Sequence, residues 1–345
     1  MAAILSPIAM NKDKPLDTVF DNGATPRCHP LVDEVSREVE FYFLQHWNFP
    51  DEKARASFLK TGYGQFTCFY YPLARNDRIH ISCRFITLLI LNDDLLDGMS
   101  IEDGAVHQEK LLAIVRGDVA PDSNAPAEYI IYDVFERLRA CDRELADEIM
   151  EPLAELLRAQ TDKVRLTLSE LEPYLEYREI DIAGPFLAAV MRFATGLRLI
   201  PAELELVKPL ERNASRQLLV ANDICSYEKE VRAVEKSNTE GAALCNVMQI
   251  FANNTLLSID STRRMLWHMM REWEEEYLAL VDKIESAGCR EVVKTFLVNL
   301  RCLTVSIGME SQVLMPVYRP VVATAFIYTL KTMLVEPRLS LLFVA

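Results

Sequence analysis

Apolar residues recur at three- and four-residue spacing along nearly the whole chain, and no run of period-two alternation with hairpin turns interrupts them. The periodicity predicts helices over roughly 31–46, 52–60, 78–97, 126–140, 142–168, 171–195, 202–231, 240–251, 260–287 and 290–312. Turn-forming residues mark loops at Asp21-Asn22-Gly23, Gly117-Asp118, Pro121-Asp122-Ser123, Pro201 and Asn253-Asn254. A Gly184-Pro185 pair inside the helical stretch 171–195 should interrupt it. There is no internal repeat, low-complexity tract or clear linker, so one all-α domain is the simplest architecture. The length of 345 residues, 50% hydrophobic with only 11 Gly, suits one large domain or two small ones.

Two of these helices carry polar stripes on otherwise apolar text. The first, SCRFITLLILNDDLLDGM over Ser82–Met99, ends in acid. Asp93 and Asp97 share a face at i, i+4, while Asp94 points about 100° away. Like charges at that spacing repel unless a cation lies between them. The second reads NDICSYEKE over Asn222–Glu230. Asn222, Ser226 and Glu230 fall at i, i+4 and i+8, each displaced by about 40° around the helix. An amide oxygen, a hydroxyl and a carboxylate in one row form the oxygen ligand set of a hard divalent cation such as Mg²⁺, which commonly also binds substrate phosphates. Lys229 returns to nearly the same face and can neutralise a phosphate. Any one of these residues alone reads equally as part of a solvated helix face, and a lone DDxxD as an exposed acidic helix end. The flanking Leu218, Leu219, Val220, Ala221 and Ile224 make the second helix apolar, and a polar stripe on a buried helix needs partners. Together the stripes predict facing walls of a cavity that clamps a diphosphate through several Mg²⁺ ions.

The net charge of −14, with no Lys/Arg stripe to offset it, argues against a nucleic-acid partner. Eight cysteines include no CxxC pair, which disfavours a zinc ribbon and suits reduced thiols in a cytoplasmic protein. MAAILSPIAMNKDKP lacks a basic n-region and a sustained apolar core, so it does not read as a secretory signal. The apolar C-terminal stretch is broken by Pro316, Arg319, Pro320, Lys331 and Pro337 well short of a membrane span. None of the five histidines pairs at metal-ligand spacing, and His80 reads as a core histidine.

DDLLD and NDxxSxxKE resemble the two metal-binding motifs of class I terpene synthases. The segments CHPLVDEVSREV, YFLQHWNFPDEKA, NDRIH, MEPLAELLRAQTD, YLEYRE and MRFATGL are similar to fungal aristolochene synthases, from about Cys28 to about Leu300. The resemblance implies a single-domain class I terpene synthase helical bundle around a central apolar cavity. It divides the chain into an N-terminal segment 1–27, a synthase domain 28–312 and a divergent tail 313–345. It implies farnesyl diphosphate as substrate, three Mg²⁺ ions and, by kinship, a homodimer. On the matching positions, Asp93 and Asp97 become metal ligands on one helix, and Asn222, Ser226 and Glu230 on the other. Lys229 becomes a diphosphate contact, and Arg178 the diphosphate-sensing arginine, whose planar fork suits a phosphate. Asp181 links Arg178 to the break at Ala183-Gly184-Pro185, and Tyr70 faces the cyclising chain. Without the resemblance, Arg178 reads as a surface ion pair with Glu176 or Glu179, and Tyr70 as a core tyrosine.

The chain also departs from those relatives. Ile90 and Leu156 stand where they carry phenylalanines. Their C-terminal tryptophan and capping Arg-Tyr pair give way to VSIGMESQVLMPVYRPV, in which Tyr318 and Arg319 occur in reversed order and are the candidate substrate-binding residues. These departures bear on product more than on ionisation, and predict germacrene-type or acyclic products alongside or instead of aristolochene. Two other readings compete: a helical scaffold catalytically impaired by loss of the capping motif, and a chain-elongating prenyltransferase, which generally uses two aspartate-rich motifs.

Overall fold

Thirteen α-helices and one 3-10 turn make up the regular structure, with no strand among the described residues. The computed structural model describes residues 27–236 and 243–317, with residues 233, 236 and 305–317 described by backbone alone. The order is α1 Val32–His46, α2 Glu52–Thr61, α3 Tyr63–Tyr70, α4 Ile79–Leu96, α5 Ile101–Arg116, α6 Pro126–Asp147, α7 Met150–Ala159, the 3-10 turn Lys163–Leu166, α8 Leu171–Asp181, α9 Gly184–Thr195, α10 Pro201–Lys236, α11 Val247–Thr255, α12 Ile259–Ser286 and α13 Glu291–Val317. Tyr318 and Arg319 lie outside the described residues, as does the expected turn at Asp21-Asn22-Gly23.

Helix starts follow local chemistry. Asp51, Ser100 and Ser258 accept from the backbone N–H three residues on, at 2.7, 3.0 and 3.2 Å, which satisfies a donor the helix cannot pair internally. Asn246 does the same for Met248 N–H at 2.9 Å and opens α11. The packing centre is aromatic: Phe85 of α4 stands edge-on to Phe135 of α6 at 5.3 Å and to Phe186 of α9 at 5.0 Å between ring centroids. Edge-to-face pairs at that separation add about 0.5–1.5 kcal/mol each beyond burial of their area. The long helix α10 packs against α8, α9, α12 and α13, so both faces of its middle turns are covered.

Several sequence-based boundaries move. Helices α3 and α5 were not expected. The predicted helix 142–168 is instead the end of α6, then α7, then the 3-10 turn. Asp142 leaves helical geometry (φ −159°, ψ 96°), and its carboxylate is gripped by Arg78 Nη2 at 2.9 Å and Arg198 Nη2 at 2.8 Å. That grip places the bend where the periodicity runs on. Pro201 opens α10 rather than lying in a loop, and Asn253-Asn254 fall in the last turns of α11. Pro209 sits within α10 without ending it.

The interruption expected at Gly184-Pro185 is present. Ala183 adopts the left-handed conformation (φ 69°, ψ 19°), Pro185 falls in the first turn of α9, and α8 and α9 become separate helices. Gly184 is required there by space. A β-carbon at this position would lie 2.0 Å from Ser215 Oγ and 2.9 Å from the Glu179 carbonyl oxygen. Gly184→Ala is therefore expected to destabilise the protein by about 1–3 kcal/mol through overpacking, measured by urea unfolding. A wild-type midpoint in that variant would show that the junction yields.

Candidate active site

The acidic end of α4 and the polar stripe of α10 are brought to one region by α8, which lies against α10 and α7. Arg178, in the last turn of α8, is the group in the middle. Its Nη1 donates to Asp181 Oδ2 one turn on, its Nη2 to Asn222 Oδ1 at 3.2 Å, and its Nη2 and Nε to Asp223 Oδ1 at 3.2 and 3.3 Å. Neither Glu176 nor Glu179 takes it. Glu179 instead pairs with Arg212 at 3.0 Å and Arg216 at 2.5 Å on the outer side of α10.

The three stripe residues of α10 are half-buried and lie one turn apart on the same helix. Ser226 donates its hydroxyl hydrogen to the Asn222 carbonyl at 2.8 Å, which leaves the oxygen lone pairs for another partner. Glu230 Oε2 accepts from Asn246 Nδ2 at 3.0 Å. Lys229 lies on the exposed side of the stripe, and its charge acts on Asp94 and Asp97 across the gap. Glu230 and Arg165 also contribute to the field at Asp97.

Asp93 is open to solvent at its surface yet enclosed by protein on its other sides, as a group on the wall of a recess is. That crowding, with Asp181 and Asp97 nearby, pushes its carboxyl up to about 7 against the opposing pull of Arg178. Asp94 and Asp97 are raised as well, first by partial burial. Carboxylates held together against their own repulsion are a donor set that a cation completes, and with the Asn222 amide and Ser226 hydroxyl every donor is a hard oxygen. Among the described residues no three His, Cys, Asp or Glu side chains converge tightly enough to hold an ion alone. Ligands on two separate walls fit ions that share their coordination with phosphate oxygens.

Sequence reasoning missed the residues behind this first layer. Asp223 is fully buried and accepts from Tyr174 Oη–H, from Val247 N–H at 2.8 Å and from Arg178. Burial pushes its carboxyl up to about 6, although those donors favour the charged form. Asn246 Nδ2 also donates to the Asp223 carbonyl at 3.0 Å, so one amide ties α11 to both Asp223 and Glu230. The available signal was the acid beside Asn222 on an apolar helix and an Asn placed as a helix cap. Tyr70 ends α3, buried, with its ring 6.4 Å from that of Tyr71. Ile90 packs half-buried on α4, and Leu156 is buried in α7. A surface cleft of about 520 Å³ lined by Trp47, Phe49 and Arg55 involves α1, α2 and the turn between them, none of which carries these residues.

A family profile described as terpene synthase family 2, C-terminal metal binding, matches residues 84–276. An aristolochene synthase of Aspergillus terreus is 51% identical over 263 residues, covering 76% of this chain and 82% of that one. The chain belongs to the terpene synthase family. A second relative, the aristolochene synthase of Penicillium roqueforti, is 48% identical over 275 residues, or 79% of this chain and 80% of that one. The crystal structure of aristolochene synthase from Penicillium roqueforti superposes with a TM-score of 0.76 at 42% identity, covering 86% of this chain and 99% of that chain. The all-α bundle is thus the class I terpene synthase fold. The chain is a terpene cyclase, a lyase acting on a diphosphate, with a divalent-metal site.

The electrostatics of this terpene synthase carry a pH signature. A carboxyl raised to about 7 in the folded protein, against its ordinary value when unfolded, destabilises the fold most above pH 7. That penalty shrinks as pH falls through about 7. Asp93→Asn removes it at every pH. In metal-free buffer the variant is therefore expected to melt above wild type at pH 8, with the gap narrowing toward pH 5. A gap that widens toward pH 5 in thermal melts has the wrong sign and overturns the assignment.

Proposed function

We propose that the chain is a sesquiterpene synthase that ionises farnesyl diphosphate with Mg²⁺ and cyclises the resulting cation to aristolochene or a related germacrene- or eremophilane-type product. The observation that carries the reading is Arg178, whose guanidinium joins Asp181 at the α8–α9 break to Asn222 of the polar stripe and to the buried Asp223 behind it. The names of the two relatives described above, aristolochene synthases at 51% and 48% identity, support the product class. Nothing in that kinship favours the elongating prenyltransferase or the impaired scaffold.

Asp93 on α4 and Asp97 at its C-terminal cap, with Asn222, Ser226 and Glu230 on α10, would hold three Mg²⁺ ions with the diphosphate. Bound divalent ions neutralise the leaving diphosphate and so lower the barrier to breaking the carbon–oxygen bond. Arg178 and Lys229 bind the same group by charge-assisted hydrogen bonds. Arg178 has to leave its present acceptors in part to do so, and its pairing with Asp181 passes that movement to Ala183 and Gly184. The apolar faces of α4 and α9 keep water from the cation, and Tyr70 offers an aromatic face to it. Tyr318 and Arg319, beyond the described residues, are proposed to act at the diphosphate as well. Eight free thiols favour a reducing compartment, and we place the enzyme in the cytoplasm. Among the described residues no helix is long and apolar enough to cross a membrane.

Incubation of the purified protein with farnesyl diphosphate and Mg²⁺, read by gas chromatography of the volatiles and by diphosphate release, tests the reading. Turnover is expected to stop with EDTA and to yield germacrene-type or acyclic products beside aristolochene. Ile90→Phe restores an aromatic face worth about 0.5–2 kcal/mol to a nearby cation, and is expected to raise the aristolochene share. Absence of diphosphate release from wild type contradicts the proposed activity. Aristolochene as the sole wild-type product contradicts the role given to Ile90.

A further inference from the structure

A file of side-chain hydrogen bonds runs from α5 to Asp93 through groups the proposed mechanism does not use. His107 Nε2 lies 2.8 Å from Asn92 Oδ1. Asn92 Nδ2 donates to Gln108 Oε1 at 3.1 Å, and Gln108 Nε2 donates to Gln160 Oε1 at 2.9 Å. Gln160 Nε2 then donates to Asp93 Oδ1 at 3.0 Å. Asn92 and Gln108 are fully enclosed, so they have no water to fall back on.

The direction of this file follows from its last member. In the ionised form that takes a cation Asp93 only accepts hydrogen bonds, so Gln160 turns its NH₂ to Asp93 and its carbonyl oxygen to Gln108. Gln108 must then donate to Gln160 and accept from Asn92, and Asn92 must accept from His107, which carries its hydrogen on Nε2. Three amide dipoles thereby stand head to tail with their positive ends toward Asp93, and each strengthens the next. The geometry is held at both ends. Tyr177 Oη donates to the Ala159 carbonyl at 2.9 Å, and Arg165 Nη1 to the Gln160 carbonyl at 3.1 Å, so the turn bearing Gln160 is pinned beside Arg178. Gly104 lets α5 come close, since a β-carbon there would lie 3.1 Å from Thr161 Cγ2 and 3.2 Å from Leu96 Cδ2.

We propose that Gln160, backed by Gln108 and Asn92, is a positioning residue that fixes the carboxylate plane of Asp93 for divalent-metal binding; this rests on Asp93 being a metal ligand. One lone pair of Oδ1 is taken by Gln160, and Oδ2 is left to the ion. Partners of this kind, behind the ligands themselves, commonly set metal affinity.

The test is the Mg²⁺ midpoint of thermal stabilisation by inorganic diphosphate, a readout independent of turnover. Gln160→Leu is expected to raise that midpoint about tenfold, and Gln108→Leu, which does not touch Asp93, to raise it about threefold or more. Arg158→Leu breaks the exposed 2.8 Å pair with Glu109 between the same two helices and should leave the midpoint at wild type. A wild-type midpoint in Gln160→Leu overturns the proposal. So does a shift in Gln160→Leu with none in Gln108→Leu, or an equal shift in Arg158→Leu. If Gln108→Leu does not fold, the comparison of Gln160→Leu with Arg158→Leu decides. If wild type shows no stabilisation by Mg²⁺ with diphosphate, Asp93 is not a ligand and both readings fall; if wild type responds and the relay variants match it, only this one does.

Discussion

Arg178 is half-buried among three oxygen-bearing groups on two helices, and the rest of the site is arranged around that fact. Taking a guanidinium out of water is expensive unless carboxylates and hydrogen bonds replace the solvent. Asp181, Asp223 and Asn222 do so, and each is tied to something further: Asp181 to the break between α8 and α9, Asp223 to Tyr174 and the start of α11, Asn222 to Ser226. Removing the arginine would leave Asp223 as an uncompensated charge in a fully enclosed position. One guanidinium therefore holds α8 in register with α10, and through Asp223 with the start of α11.

The two walls differ in how they are kept in place. The α10 wall is braced from beneath by buried groups, with Asn246 reaching both Asp223 and Glu230. The α4 wall is braced sideways, by amides that pass a hydrogen bond from α5 through α7 to Asp93. Both braces use neutral side chains next to carboxylates, which adds order without adding charge to a region already strongly acidic.

The parts of this arrangement that could be read from the chain were those fixed by short-range periodicity. Asp93, Asp97, Asn222, Ser226 and Glu230 announce themselves because helical spacing puts oxygens on one stripe, and Gly184-Pro185 because proline cannot continue a helix. Helix α5 escaped notice even though Ser100 caps it and Glu102 and Asp103 suit its first turn, because Gly104 weakens its propensity. Helix α3 is eight residues of mostly aromatic and small side chains, too short for a period to show. The bend at Asp142 was invisible because Arg78 and Arg198, which cause it, lie 64 and 56 residues away. Asp223, Asn246 and Gln160 were missed for the same reason: their importance lies in partners that only tertiary packing supplies.

The contact between Gly184 and Ser215 has a mechanical side. Ser215 and Asn222 sit on the same unbroken helix, seven residues and about 10 Å apart. Close-packed atoms at one end and the Asn222 amide that meets Arg178 at the other make α10 a stiff rod pressed against a fulcrum. A displacement of the α8–α9 junction cannot be absorbed locally as a soft loop would absorb it. Along the rod it reaches the contact between Asn222 and Arg178, so the absence of a single methyl group gears the helix junction to the polar stripe.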